Sequence, residues 1–215
     1  MTYLQMVNNI LIRLREETVD TLDGLTDPVA ELVTEFVKDA YLLVSESHNW
    51  QVLRDEWEFD TSSGVAEYTL TSSAKPAILE TLLSDEGTEL HELPLATVRQ
   101  RNLRNTTTRQ PTSYAVSGKT SDGGVKVTLY PVPDSPYTYK AYGWRSVPTL
   151  SSDSDVVLIA DRAVMFYALG YAMRERGEVS GQTAVEVLAL ANRHLSDAIA
   201  RDASLNDLDN VWESV

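Results

Sequence analysis

The chain has 215 residues, 43% of them hydrophobic, a formal net charge of −14 and no cysteine. That length suits one domain, or one helical domain with a sizeable insertion, and the apolar content is enough for a core without covalent staples. Lack of cysteine excludes a disulfide framework and a thiolate metal site, while the acidic balance argues against a protein whose main task is gripping phosphates, since such proteins need Lys and Arg to release counterions.

From Leu4 the apolar positions Leu4, Val7, Leu11 and Leu14 recur at three and four, with Arg13, Arg15, Glu16 and Glu17 on the wet side, which predicts a first helix. Asp27-Pro28 then marks a helix start: an acceptor for free amides followed by a residue already fixed near helical φ. The second helix is predicted to run to about Ser47, with Val29, Leu32, Val33, Phe36, Val37, Ala40, Tyr41 and Val44 forming a face broad enough for two neighbours.

Beyond His48 the period changes to two. Trp57 and Phe59 alternate with Glu56, Glu58 and Asp60, and Ser62-Ser63-Gly64 leads into Glu67-Tyr68-Thr69-Leu70, a pattern that predicts a hairpin. Leu93 to Val98 reads as a short helix begun by Pro94, and Asn105 to Thr108 as a polar loop. Strands return at Ser113–Val116, Val125–Tyr130 and Tyr137–Trp144, the first two joined by a turn from Gly118 to Gly124, and the connections are short enough to predict antiparallel pairing throughout. On the last strand the alternation predicts Tyr137 and Tyr139 on one face and Tyr142 and Trp144 on the other.

A third long helix is expected from about Ala160 to Arg176, stopped by Gly177, and a fourth from near Ser180, whose stripe Ala184, Leu188, Ala191, Leu195 and Ala198 is small enough for a close crossing. After Ser204 only Leu205, Leu208, Val211 and Trp212 punctuate an acidic end, too few apolar residues to bury anything by themselves. Either a partner receives them or the segment is disordered.

Reactive chemistry finds no support in this text. Ser117-Gly118-Lys119-Thr120 resembles the end of a phosphate loop, but that motif needs glycine where Ser113 stands and a helix where Asp122-Gly123-Gly124 leads into a strand. His48, His91 and His194 stand apart, without the spacing of a helical zinc site or a nucleophile elbow. No enzyme and no cofactor are expected. The opening Met1-Thr2-Tyr3-Leu4-Gln5 lacks the features of a signal peptide, and no apolar stretch has the length to span a bilayer, so the chain is expected to be made in the cytoplasm with no membrane contact.

Arg99, Arg101, Arg104 and Arg109 form the one basic cluster on this acidic chain. The bland reading pairs them with the protein's own carboxylates; the functional readings are an acidic neighbouring subunit or DNA phosphates, and of these two the neighbour is preferred on so acidic a chain. The general acidity either solvates the surface or lines a channel to which DNA does not stick.

The order helices, strands, helices, with Asn8-x-Ile10-Leu11 near the start, Trp50 and Trp57-x-Phe59 after the second helix, and Tyr130-Pro131-Val132-Pro133-Asp134 before the last helices, resembles the head-to-tail adaptor proteins of tailed bacteriophages, of the tail tubular protein A type. The resemblance implies an α+β fold: a four-helix bundle from residues 1–49 and 149–203, a central antiparallel β-rich insertion at 50–148, and an extended C-terminal docking tail at 204–215. It implies a virion protein at the head-tail neck, a dodecameric ring bound to the portal protein and to tail or nozzle proteins, with double-stranded DNA passing through without sequence-specific binding. Leu205, Leu208, Val211 and Trp212 are then expected to dock on the portal. Arg99, Arg101, Arg104, Arg109, Tyr142 and Trp144 are expected at the subunit interface. The competing reading is a cytosolic oligomeric interaction or regulatory module without catalytic activity; solution mass and choice of partner separate the two.

Overall fold

A computed structural model describes residues 1–70, 76–104, 107–120, 124–177 and 183–205. In chain order the elements are α1 (Tyr3–Arg13), α2 (Pro28–Glu46), β1 (Arg54–Asp60), β2 (Glu67–Leu70), β3 (Pro76–Ser84), β4 (His91–Glu92), α3 (Leu95–Arg104), β5 (Ser113–Lys119), β6 (Val125–Tyr130), β7 (Thr138–Arg145), α4 (Asp161–Glu175) and α5 (Ala184–Ala203). The class is mixed α+β, and the chain divides into a helical unit, Met1–Val52 with Val147–Val215, and a β-rich unit, Leu53–Ser146.

In the helical unit the starts of α1, α2 and α5 are each set by a local side-chain acceptor, whereas α4 begins at Ala160 without one. Thr2 opens α1 with a reciprocal cap, its hydroxyl accepting from the Gln5 amide while the Gln5 side chain accepts from the Thr2 amide. Asp27 Oδ1 accepts from the Val29 amide at 3.1 Å to open α2. The last helix begins later than the sequence suggested: Thr183, not a residue near Ser180, supplies the hydroxyl, and Glu186 three places on returns the bond to the Thr183 amide.

α4 packs against α1, α2 and α5. That explains its composition, because Ala163, Val164, Met165, Tyr167, Ala168, Leu169, Gly170, Ala172 and Met173 are buried on every side of the helix rather than along one stripe. At Gly170 the approach of α5 is close: an added Cβ would stand 2.6 Å from Leu188 Cδ2. Gly177, at φ +62°, ends the helix as expected. Arg176 donates to the Leu14 carbonyl at 3.1 Å and pairs with Glu16, tying the ends of α4 and α1 together.

The β-rich unit holds two sheets, β1-β7-β3 and β2-β6-β5-β4. The hairpin expected from Trp57 to Leu70 does not form, since β1 pairs with β7 and β2 with β6. At the end of β1, Thr61 continues the ladder to β7: its amide donates to the Tyr137 carbonyl and its hydroxyl accepts from the Tyr137 amide, both at 2.8 Å. The following residues then fold around the Tyr68 hydroxyl, which accepts from the Ser62 amide and donates to the Val65 carbonyl, so the chain passes from one sheet to the other instead of doubling back. Strands β3 and β4 were not legible in the sequence. Pairing is also not wholly antiparallel: β4 and β5 run parallel, with α3 as the crossover.

Trp57, Leu82, Tyr139 and Ala141 from one sheet and Leu70, Tyr114, Val127 and Leu129 from the other belong to one buried cluster between the sheets. On the far side of the four-stranded sheet, Ala115 and Thr128 are buried as well, beneath α3, which packs on β5 and β6. The layers are therefore helix, four-stranded sheet, three-stranded sheet.

Burial pushes the Tyr114 and Tyr139 hydroxyls up to about 12. Because the folded value lies above the ordinary tyrosine value of 10.0, the stability tied to these two groups is complete below that pH and is lost as pH rises toward about 12. Phenolate absorbance followed during an alkaline titration is expected to show these tyrosines ionising late and together with unfolding; ionisation at the ordinary value with the fold intact would contradict this.

Candidate interaction surfaces

The basic cluster is built on α3 and the loop after it. Val98 is fully buried, and Asn102 Nδ2 donates to the Leu129 carbonyl at 3.1 Å, which fixes one side of the helix on the sheet. The sequence ended this helix at Val98; it continues through Arg104, so Arg99, Arg101 and Arg104 lie on the helix itself. All three and Arg109 are exposed, and Leu103 stands among them 84% exposed. The Arg101 guanidinium lies 5.5 Å from the centroid of the Tyr130 ring, and the Arg109 amide donates to the Val132 carbonyl at 3.0 Å. Among the described residues none of the four guanidinium groups forms an ion pair with a carboxylate.

Tyr142 and Trp144 lie on the opposite side of this unit. Tyr139 and Ala141 face the core, leaving Tyr142 and Trp144 half-buried on the outer face of β7, the middle strand of its sheet. There β1 sets Arg54 opposite Trp144, Glu56 opposite Tyr142, Glu58 opposite Lys140 and Asp60 opposite Thr138. Lys140 Nζ lies 3.2 Å from Glu56 and 3.8 Å from Glu58, and the two carboxylates raise its pKa above the usual lysine value, chiefly through the hydrogen bond that Lys140 donates to Glu56. Arg54 reaches Glu80 at 2.8 Å and sits 5.9 Å from the centroid of the Trp144 ring, while the enclosed Trp144 Nε1 has no acceptor among the described residues. The six residues predicted for one interface thus divide between two faces.

The third surface belongs to the helical unit. Leu205 is exposed just past the end of α5 and lines an apolar groove of about 420 Å³ with Trp50, Val52, Leu158 and Ile159. Leu208, Val211 and Trp212 lie outside the described residues. Trp50 is held by its Nε1 donating to the Val44 carbonyl at 3.0 Å. Nearby, Asp202 Oδ2 accepts from the Gln51 amide at 3.0 Å and lies 3.1 Å from His48 Nε2, joining positions 154 apart in sequence. No local pattern could have announced that contact.

The other histidines serve packing or face solvent: His194 stacks on Phe166 with centroids 5.0 Å apart, and His91 is exposed. Among the described residues, no group of three or more His, Asp or Glu is placed to hold a metal ion, and no helix is long and apolar enough to cross a membrane.

No curated protein matches this chain. Among solved structures it is similar to a chain from the neck of an empty GTA particle computed with C6 symmetry, at 13% identity over 87% of either chain with a TM-score of 0.30. The family model described as SU10 adaptor protein matches residues 1–210. With that match running through both units and nearly to the C-terminus, the chain belongs to the SU10 adaptor protein family and is a structural adaptor protein of phage.

Proposed function

We propose that this protein forms a ring, dodecameric in the assembled virion, that joins the portal of the phage head to the tail and lets DNA pass through its channel. The observation that carries the reading beyond family membership is the exposed arginine face of α3, left without ion-pair partners among the described residues of a chain of net charge −14. A ring subunit needs lateral faces of this kind, rigid helices to hold curvature, and no reactive site. In this reading the helices of residues 1–49 and 149–203 act as a four-helix bundle, residues 50–148 carry the lateral contacts, and 204–215 dock on the portal. The protein is made in the host cytoplasm and ends in the virion neck, with tail or nozzle proteins below it. The channel wall carries more carboxylates than basic groups, because each phosphate contact would hold the moving DNA and every copy would repeat the hold.

The experiment is reconstitution on portal-containing heads, comparing the full chain with one lacking residues 205–215. The full chain is expected to appear in neck reconstructions as a closed ring around a lumen poor in Lys and Arg. The shortened chain is expected to unfold near the wild-type temperature yet fail to join the particles. Normal incorporation of the shortened chain would end the docking assignment, and necks with no closed ring of this protein would end the proposal.

A further inference from the structure

The arginine face and the outer face of the three-stranded sheet are the two external layers of one compact unit, with α3 on one side and β1-β7-β3 on the other. Their charges are complementary. The α3 side offers Arg99, Arg101, Arg104 and Arg109 around the exposed Leu103, with no carboxylate engaged among the described residues. The sheet side offers Glu56, Glu58, Asp60 and Glu80 against only Arg54 and Lys140, around the half-buried Tyr142 and Trp144.

We infer that the arginine face of α3 in one copy docks on the outer face of the β1-β7-β3 sheet of the next, so that identical chains join head to tail through their β-rich units. This rests on the ring reading above and names the surfaces that would close the ring. A two-fold contact through α3 would set arginine against arginine, and one through the sheet would set its excess carboxylates against each other; both are repulsive. Pairing the unlike faces removes the repulsion at each, and because the faces lie on opposite sides of the unit every copy keeps one free face of each kind. Such a contact adds copies until the rotation closes. Lys140 already sits between two glutamates and Arg54 on a third, so a guanidinium arriving from the neighbour meets the carboxylates these two cations leave unneutralised. Tyr142 and Trp144 give Leu103 an amphipathic surface to cover.

The test uses charge reversal in the full chain. One variant carries Arg99→Glu and Arg104→Glu, sparing Arg101 because it packs on Tyr130; a second carries Glu56→Lys and Glu58→Lys; a third carries all four. All four positions are exposed, so every variant should fold; the α3 variant should unfold with wild type, and the sheet variant somewhat lower, because it exchanges the two glutamate partners of Lys140 for lysines. Self-association measured by sedimentation, and ring closure on portal-containing heads, should weaken by about tenfold or more in each of the first two variants. Both should return in part in the third, where the two introduced glutamates of one copy meet the two introduced lysines of the next. Wild-type association should weaken as salt is raised. If the first two variants form rings like wild type, the surface assignment is wrong while the ring itself stands. If wild type forms no ring in the neck, both readings fall. Salt-sensitive binding of wild type to duplex DNA, lost in the arginine variant, would make α3 a nucleic-acid surface and overturn the inference.

Discussion

Replacing Gly143 with alanine is expected to cost the β-rich unit about 3 kcal/mol and to lower Tm by roughly 10 °C. Gly143 lies within β7, paired with Asp55 on one side and Leu79 on the other. The β3 partner shifts register between Pro76 and Ile78 and again between Leu79 and Thr81, and this brings its main chain unusually near. A Cβ on residue 143 would stand 2.1 Å from the Ile78 carbonyl oxygen. That neighbour is backbone held in a ladder, so one of the two strands must move. The comparison is Gly64→Ala, where φ is +79° but no atom lies within 4 Å, and where only the backbone preference is lost, about 1 kcal/mol. Thermal unfolding of both proteins decides the matter. A Gly143→Ala protein that melts with wild type would mean that β3 yields freely at its bulges.

Ala168→Glu is expected to be harsher, removing the folded helical unit from solution. Ala168 is wholly buried on α4, whose other faces are already taken by α1, α2 and α5. A carboxylate there has no water, and the adjacent buried residues Val164, Leu169 and Ala172 offer it no partner. Desolvation of an unpaired charge together with overpacking exceeds about 4 kcal/mol, a large part of the stability of an ordinary domain. Ala168→Ser, which adds one hydroxyl able to bond its own helix, should lose no more than about 1–2 kcal/mol. Circular dichroism and soluble yield separate the two. Recovery of Ala168→Glu as a folded protein at neutral pH would show that α4 is not the centre of its unit.

Much of the fold was written locally. Asp27-Pro28 and Gly177 set helix ends because the atoms that satisfy free amides, or permit a left-handed turn, belong to adjacent residues. The period-two text from Thr138 to Trp144 correctly separated Tyr139 from Tyr142 and Trp144, because alternation across a strand is a property of the backbone alone. Helix α4 was legible as a helix through its length and the glycine stop at Gly177. Its central position was not, since an all-round apolar surface says only that neighbours exist on every side.

Pairing was decided elsewhere. The sequence joined Trp57–Phe59 to Glu67–Leu70 as neighbours, but Thr61 carries β1 onward to β7, some 76 residues away, and only the assembled ladder rewards that contact. The same holds for the parallel β4–β5 pair, for Asp202 meeting His48, and for the separation of four arginines from Tyr142 and Trp144 onto opposite faces. Sequence determined the class, the helix ends at Asp27 and Gly177, the alternation of the last strand and the family likeness, all of which depend on near neighbours or on the order of elements. Tertiary structure alone decided which strands meet and which charged groups share a surface, because those outcomes follow from burying two sheets against one core, a condition that no short stretch of chain satisfies by itself.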